Sequence, residues 1–159
     1  MVLPQAKGVA DEEGDGFLGT VAPAAGDSVI VEWLEQSDCL LGVGFDPVES
    51  SQDWHYQRPF YSLANGSVGF SNFRPTAECT GDVSVLLNRL REGYRGSSDW
   101  VRSELSETRR QIDVAIRPQS GAGPAGLSPY HVMSVLREVM PRDAIAATDV
   151  GAHKMLLAH

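Results

Sequence analysis

Cysteine, histidine and long apolar runs are scarce in this chain of 159 residues. Its two cysteines, Cys39 and Cys79, give neither a disulfide framework nor the paired spacing of a zinc site. No run approaches the roughly 20 apolar residues that a membrane-spanning helix needs. The first residues lack a basic segment followed by an apolar one, which argues against a signal peptide. We therefore expect a reducing cytoplasmic location, with Cys39 buried beside Leu40 and Leu41.

Positive charge is also in short supply. Lys and Arg total 13 against 21 for Asp and Glu, which gives a formal net charge of -8 and a pI near 4.9. Because a chain this acidic repels phosphate backbones, we expect no nucleic-acid binding and no attachment to an anionic membrane. The hydrophobic fraction of 42% is typical of a globular protein and argues against a wholly disordered one.

The first two thirds of the sequence alternate between helical and strand patterns. Asp27-Ser28 is a plausible N-cap for a helix that ends near residue 37, and residues 39–45 form an apolar run typical of a strand buried on both faces. Gly81-Asp82 opens a second amphipathic helix, and residues 100–116 predict a third. Helices alternating with a buried strand indicate an α/β fold with a parallel sheet.

A segment rich in Gly, Pro and Ala, residues 117–128, predicts a linker. After it, Ser128-Pro129 predicts a helix start, and the apolar face of this helix consists of Val132, Val135, Leu136 and Val139. Residues 144–149 predict a short strand, and a final helix starts near residue 153. Because so short a helix cannot bury an apolar face, we expect the chain to be a fragment of a larger protein.

The end of the sequence resembles the start of the diphosphate-binding domain in thiamine-diphosphate-dependent enzymes of the acetolactate-synthase type. The family pattern has a Ser-Pro helix, then Pro-x-Asp-Ala-Ile, a short strand and Asp-Val-Gly-x-His before a helix. The matching residues, in order, are Ser128-Pro129, Pro141, Asp143-Ala144-Ile145 and Asp149-Val150-Gly151-Ala152-His153.

The earlier part resembles the central domain of the same family. The matching segments are Lys7-Gly8, Phe17-Leu18-Gly19-Thr20-Val21, the strand from Ser37 to Gly44 and the helix from Gly81-Asp82 to Leu90. The resemblance implies a Rossmann-like central domain over residues 1–96 and a helix and linker over residues 97–126. It also implies the first helix-strand-helix of a second α/β domain over residues 127–159.

For the full-length parent, the resemblance implies a carboligase or decarboxylase that acts on a 2-oxo acid with thiamine diphosphate and Mg²⁺. Gly151, Ala152 and His153 would hold the diphosphate, since glycine admits close approach and the first amides of a helix are unpaired. The family's catalytic glutamate and its Gly-Asp-Gly metal motif have no counterparts here, so no catalytic residue and no metal ligand are assigned. Gly44-Phe45-Asp46 departs from the family's Gly-x-Arg-Phe-Asp, which favours the branch without FAD. The parent would be a homo-oligomer, or a complementing chain would supply the missing parts.

Several alternatives stay open on the residues alone. Gly151 and His153 also fit an ordinary turn with a surface histidine, and Gly42-Val43-Gly44 only partly matches a dinucleotide fingerprint. Gly14-Asp15-Gly16 copies the metal motif, but its acidic surroundings predict a plain loop. The rival to an enzyme fragment is a non-catalytic structural or nucleotide-binding module, and a regulatory nucleotide domain would need a phosphate loop that the sequence does not show.

Overall fold

The computed structural model describes residues 1–21, 26–46, 57–68, 74–117 and 127–158. Most of the predicted linker, residues 118–126, and His159 lie outside the described residues. A short 3₁₀ turn, Pro4–Ala6, precedes the main elements. In chain order these are α1 (Asp27–Leu34), β1 (Leu40–Val43), β2 (Phe60–Ala64), β3 (Ala77–Thr80), α2 (Val83–Gly93), α3 (Arg102–Ile116), α4 (Pro129–Val139) and α5 (Ala152–Ala158).

The three strands form one parallel sheet in the order β1-β2-β3. Leu41 aligns with Tyr61 and Ala77, and Val43 aligns with Leu63 and Cys79. Helix α2 packs against β2. A parallel sheet with flanking helices confirms the predicted α/β class. The sequence did not predict β2 and β3 as separate strands.

The prediction that β1 is buried on both faces is wrong. Leu41 is 48% exposed and Val43 is 43% exposed, and Tyr61, aligned with Leu41 on β2, is 39% exposed. Among the described strands β1 is an edge strand, so only one of its sides has a neighbour. Cys39, expected to be buried, is exposed because it lies just before this edge strand.

Two helix starts follow their local signals. The side chain of Asp82 accepts a hydrogen bond of 3.0 Å from Val85 N–H at the start of α2. The side chain of Ser128 accepts a bond of 3.1 Å from His131 N–H, and Pro129 occupies the first turn of α4. Each cap satisfies an amide that the helix itself leaves unpaired. Both predicted starts are therefore confirmed.

The chain divides into two compact units, one of Met1–Ile30 with Arg102–His159 and one of Val31–Val101. The boundaries predicted near residues 96 and 126 stay predictions. In the first unit, Ile30 is fully buried and Ile112 of α3 is 5% exposed. Close packing explains Gly26, since a Cβ there would lie 3.1 Å from Ile112 Cγ2. Val2 and Thr20 form a parallel bridge at the start of this unit.

In the second unit the core lies along β2. Ser62, Leu63 and Ala64 are all buried, and Val68 N–H donates to Glu78 Oε1 at 2.7 Å. Trp33 and Trp100 stack with ring centroids 4.0 Å apart. The apolar packing of this unit therefore lies in two places, along the middle strand and at an aromatic pair near the two ends of the unit.

One prediction for the C-terminal part is wrong. Residues 144–149 form no strand, because none of the described strands lies beside them to complete a ladder, and Ile145 is 94% exposed. The four residues that form the apolar face of α4 are exposed, and Met133 and Tyr130 lie half-buried on the other side of the helix. Among the described helices, none has the length and apolar character to cross a membrane.

Candidate functional site

The turn before α5 is organised by short-range hydrogen bonds. Val150 N–H donates to the Asp149 carboxylate at 2.7 Å, and Thr148 Oγ1 donates to Asp149 O at 3.2 Å. The segment is exposed as far as Val150. This carboxylate thus fixes the backbone direction at the point where the chain turns into the helix.

Gly151, Ala152 and His153 follow directly and are brought together by the start of α5. The bonding of the helix begins with Lys154, whose N–H donates to Gly151 O at 3.0 Å. The N–H groups of Ala152 and His153 precede that bond and have no acceptor within the helix. Because α5 has only seven residues, these unpaired amides matter more than any helix dipole.

The imidazole of His153 folds back over Gly151. A Cβ on residue 151 would lie 2.7 Å from Cε1 and 2.8 Å from Nδ1 of His153, closer than such atoms approach. Glycine at this position therefore lets the ring lie against the backbone. The half-buried ring and the amides after Gly151 form one small cluster of N–H groups.

The position of the turn is held by helix packing. Helix α4 packs against α5, and Ala158 at the far end of α5 is buried. The Tyr130 hydroxyl on α4 donates to Asp113 Oδ1 of α3 at 2.9 Å, and the Arg117 guanidinium pairs with the other oxygen of Asp113. Sequence reasoning missed this network, because Asp113 and Tyr130 are separated by the linker.

Sequence reasoning also missed Lys154. It is exposed and lies one residue beyond His153, so it adds a cationic donor beside the turn. Its position in the first turn of the predicted helix was the available signal.

These residues fit a diphosphate better than they fit its metal. Unpaired amides, an imidazole and an ammonium group are donors suited to phosphate oxygens. Mg²⁺ needs several oxygen ligands in octahedral geometry, and the described residues hold no group of three His, Cys, Asp or Glu side chains that could supply them. The diphosphate alone is therefore consistent with this cluster.

The Gly14-Asp15-Gly16 segment is a loop, as predicted. Two successive turns shape it, with Gly14 N–H donating to Asp11 O at 3.1 Å and Phe17 N–H donating to Gly14 O at 3.0 Å. Arg109 of α3 donates to Glu12 O at 3.1 Å and to Gly14 O at 3.2 Å, and Asp15 pairs with Arg102. The loop thus presents its carbonyls and a carboxylate to arginines.

Gly42 within β1 and Gly44 just after it are explained by packing and by backbone conformation. A Cβ on Gly42 would lie 2.8 Å from Phe60 Cζ, and the Phe60 ring meets Phe45 edge-on at 5.5 Å. Gly44 has a φ of +59°, which favours glycine, and its N–H donates to Leu63 O at 2.8 Å. Both positions are explained without a nucleotide.

Comparison with known proteins leaves the chain without an assigned family. No protein-family model matches it, and no curated protein is significantly similar to it.

Proposed function

We propose that this chain is part of a thiamine-diphosphate-dependent enzyme of the acetolactate-synthase type. Residues 1–96 would belong to its Rossmann-like central domain and residues 127–159 would open its diphosphate-binding domain, with residues 97–126 between them. The support is the agreement between motif and local structure. A Ser128-capped helix, a turn at Pro141 and a glycine turn into a helix follow in the family's order, whereas residues 144–149 do not form the family's strand.

The observation that carries the proposal is the cluster at Gly151, Ala152 and His153. An ordinary turn into a helix needs no glycine with a histidine ring folded over it. Here the ring takes the space of a Cβ, and two unpaired amides lie beside it. A diphosphate would accept hydrogen bonds from these groups, and Lys154 would add charge neutralisation.

When bound, the cofactor supplies the carbanion chemistry by which a 2-oxo acid such as pyruvate loses CO₂. The residues of this chain bind and orient its diphosphate end. Catalysis and Mg²⁺ coordination would fall to groups outside this sequence, in the rest of the parent enzyme or in a complementing chain. The enzyme would work without FAD in the reducing cytoplasm, where the two exposed cysteines stay free.

Amide chemical shifts test the proposal directly. The ¹⁵N-labelled chain is kept dilute and is titrated with thiamine diphosphate, and separately with inorganic pyrophosphate. The ligand concentration rises to about 5 mM in each titration. We expect both ligands to shift the amides of residues 151–154 with similar affinity, because only the diphosphate end meets this chain. With pyruvate, cofactor and Mg²⁺, the chain alone should release no CO₂.

Two histidine variants provide the control. His153→Ala should weaken the shifts several-fold, whereas His131→Ala, an exposed histidine on α4 of the same unit, should leave them unchanged. Absence of any shift at residues 151–154, or an equal effect of both variants, would contradict the proposal.

A further inference from the structure

Two arginines at the end of α4 converge on one carboxylate. Arg137 lies in the last turn of the helix, and Arg142 lies in the turn that follows it. The Arg137 guanidinium is 3.6 Å from Glu13 Oε1, and the Arg142 guanidinium pairs with Glu13 Oε2. Each oxygen of this carboxylate therefore faces a different arginine. All three side chains are more than half exposed, so the cluster is open to solvent.

The end of α4 and the turn after it fix the spacing of the two arginines. The last turn is closed by a 2.9 Å bond from Met140 N–H, and the next turn is closed by a 3.0 Å bond from Ala144 N–H to Pro141 O. Both bonds join backbone atoms of this segment, and neither involves the loop that carries Glu13. The spacing of the two arginines along the chain therefore does not depend on that carboxylate.

The acidic loop, residues 11–16, is held by contacts other than those of Glu13. Asp15 pairs with Arg102, and Arg109 donates to two backbone carbonyls of the loop. Because these contacts anchor the loop to α3, the Glu13 side chain can leave its two arginines while the loop stays in place.

The charges of this cluster do not balance. Glu13 supplies one negative charge against two positive ones. The neighbouring acidic residues in the sequence, Glu138 and Asp143, are exposed and form no ion pair within the described part of the chain. A phosphate monoester carries about two negative charges at neutral pH and offers three acceptor oxygens. Guanidinium groups match such oxygens in both charge and geometry.

We propose that Arg137 and Arg142 form a binding site for the phosphate group of a small molecule, and that Glu13 is the internal carboxylate ligand of this site. The phosphate displaces Glu13, because two anions in one place repel each other. Exposed ion pairs are weak, so Glu13 is a modest competitor. The site goes beyond the proposed function and does not rest on it, since none of residues 151–154 contributes a donor.

Arginine side-chain signals test the site. The ¹⁵N-labelled chain is titrated with inorganic phosphate to about 20 mM, while NaCl is lowered in step to keep the ionic strength constant. We expect the Nε–H signals of Arg137 and Arg142 to shift together, and acetate, a singly charged anion, to shift them far less. Glu13→Gln should tighten phosphate binding by at least about threefold, because it removes the internal competitor. Arg142→Gln should weaken binding by at least about tenfold.

Glu107→Gln provides the matched control. It makes the same change of charge and frees Arg110, a single exposed guanidinium on α3 of the same unit. Because one guanidinium neutralises only half of the phosphate charge, the Arg110 Nε–H signal should barely respond to phosphate in this variant. His153→Ala should leave the response of the arginine pair unchanged, which separates this site from the cofactor cluster.

Circular dichroism of each variant checks that the helices persist. The proposal is overturned if phosphate shifts neither Arg137 nor Arg142 in the wild-type chain and in the Glu13→Gln variant. It is also overturned if Arg110 in the Glu107→Gln variant responds as strongly as the arginine pair does in the Glu13→Gln variant.

Discussion

The Tyr130 hydroxyl donates a 2.9 Å hydrogen bond to Asp113 Oδ1 and so joins α4 to α3 across the linker. Tyr130→Phe should lower the free energy of unfolding by about 1 kcal/mol, since it removes one hydrogen bond to a carboxylate at a partly buried site. Chemical denaturation measures the change. Tyr94→Phe, at the exposed end of α2, should have almost no effect. Equal losses in the two variants would contradict a special role for this bond.

The same phenol predicts a stability change in alkali. Burial and then the Asp113 carboxylate raise the pKa of Tyr130 above its usual value near 10. Because the folded state holds this proton more tightly than the unfolded state, the contribution is complete below pH 10 and is lost as the pH rises towards the folded pKa. Unfolding curves recorded through this range should show a loss that Tyr130→Phe removes.

Acid should weaken α3 through Glu107. Hydrogen bonds from Arg110 and then from Gln111 lower the pKa of Glu107 to about 2. Its contribution is therefore present above the ordinary value of 4.5 and is lost as the pH falls from 4.5 towards 2. Glu107→Gln should remove this part of the acid dependence of helicity, and the matched variant Glu92→Gln on α2 should retain it. Identical acid profiles for the two variants would contradict the assignment.

Two buried serines of the second unit should respond in opposite ways. Ser62 is 1% exposed, and its hydroxyl has no hydrogen-bond partner among the described residues. Ser62→Ala should be neutral or stabilising by up to about 1 kcal/mol, because an unsatisfied buried hydroxyl carries a desolvation cost. The Ser37 hydroxyl donates to Leu34 O at 2.6 Å, so Ser37→Ala should destabilise by about 1 kcal/mol. Thermal unfolding of both variants measures the difference in sign.

The two arginines that contact the acidic loop should contribute differently to the free energy of unfolding. Arg109 is part-buried and donates to two backbone carbonyls, so Arg109→Ala should cost about 1–2 kcal/mol and speed amide exchange in residues 11–16. Arg102 pairs with Asp15 at side-chain exposures of 84% and 65%, so Arg102→Ala should change stability by less than about 0.5 kcal/mol. Faster amide exchange of residues 11–16 in the Arg102→Ala variant than in the Arg109→Ala variant would contradict this prediction.

Local signals in the sequence predicted local structure well. Asp82 and Ser128 cap the helices whose starts they predict, because a cap depends only on residues within one turn. Long-range relations could not be obtained in this way. β2 was missed because its pairing partners lie on distant segments, and the exposure of the apolar face of α4 could not be predicted because periodicity identifies a face but not its direction.

The candidate site shows the same division. Gly151, Ala152 and His153 could be identified as candidate residues from the sequence, and the start of a helix near them could be predicted as well. The ring of His153 over Gly151 depends on a side-chain rotamer, which sequence does not specify.

The stacked rings of Trp33 and Trp100 have a topological consequence. This contact holds together the two ends of the unit formed by residues 31–101. In the sequence, that unit lies between the two segments, residues 1–30 and 102–159, that form the other unit. The second unit is thus an insertion with adjacent entry and exit points, the arrangement that tolerates circular permutation. A short peptide could join its ends with little loss of loop entropy, and new termini could open elsewhere in the same unit.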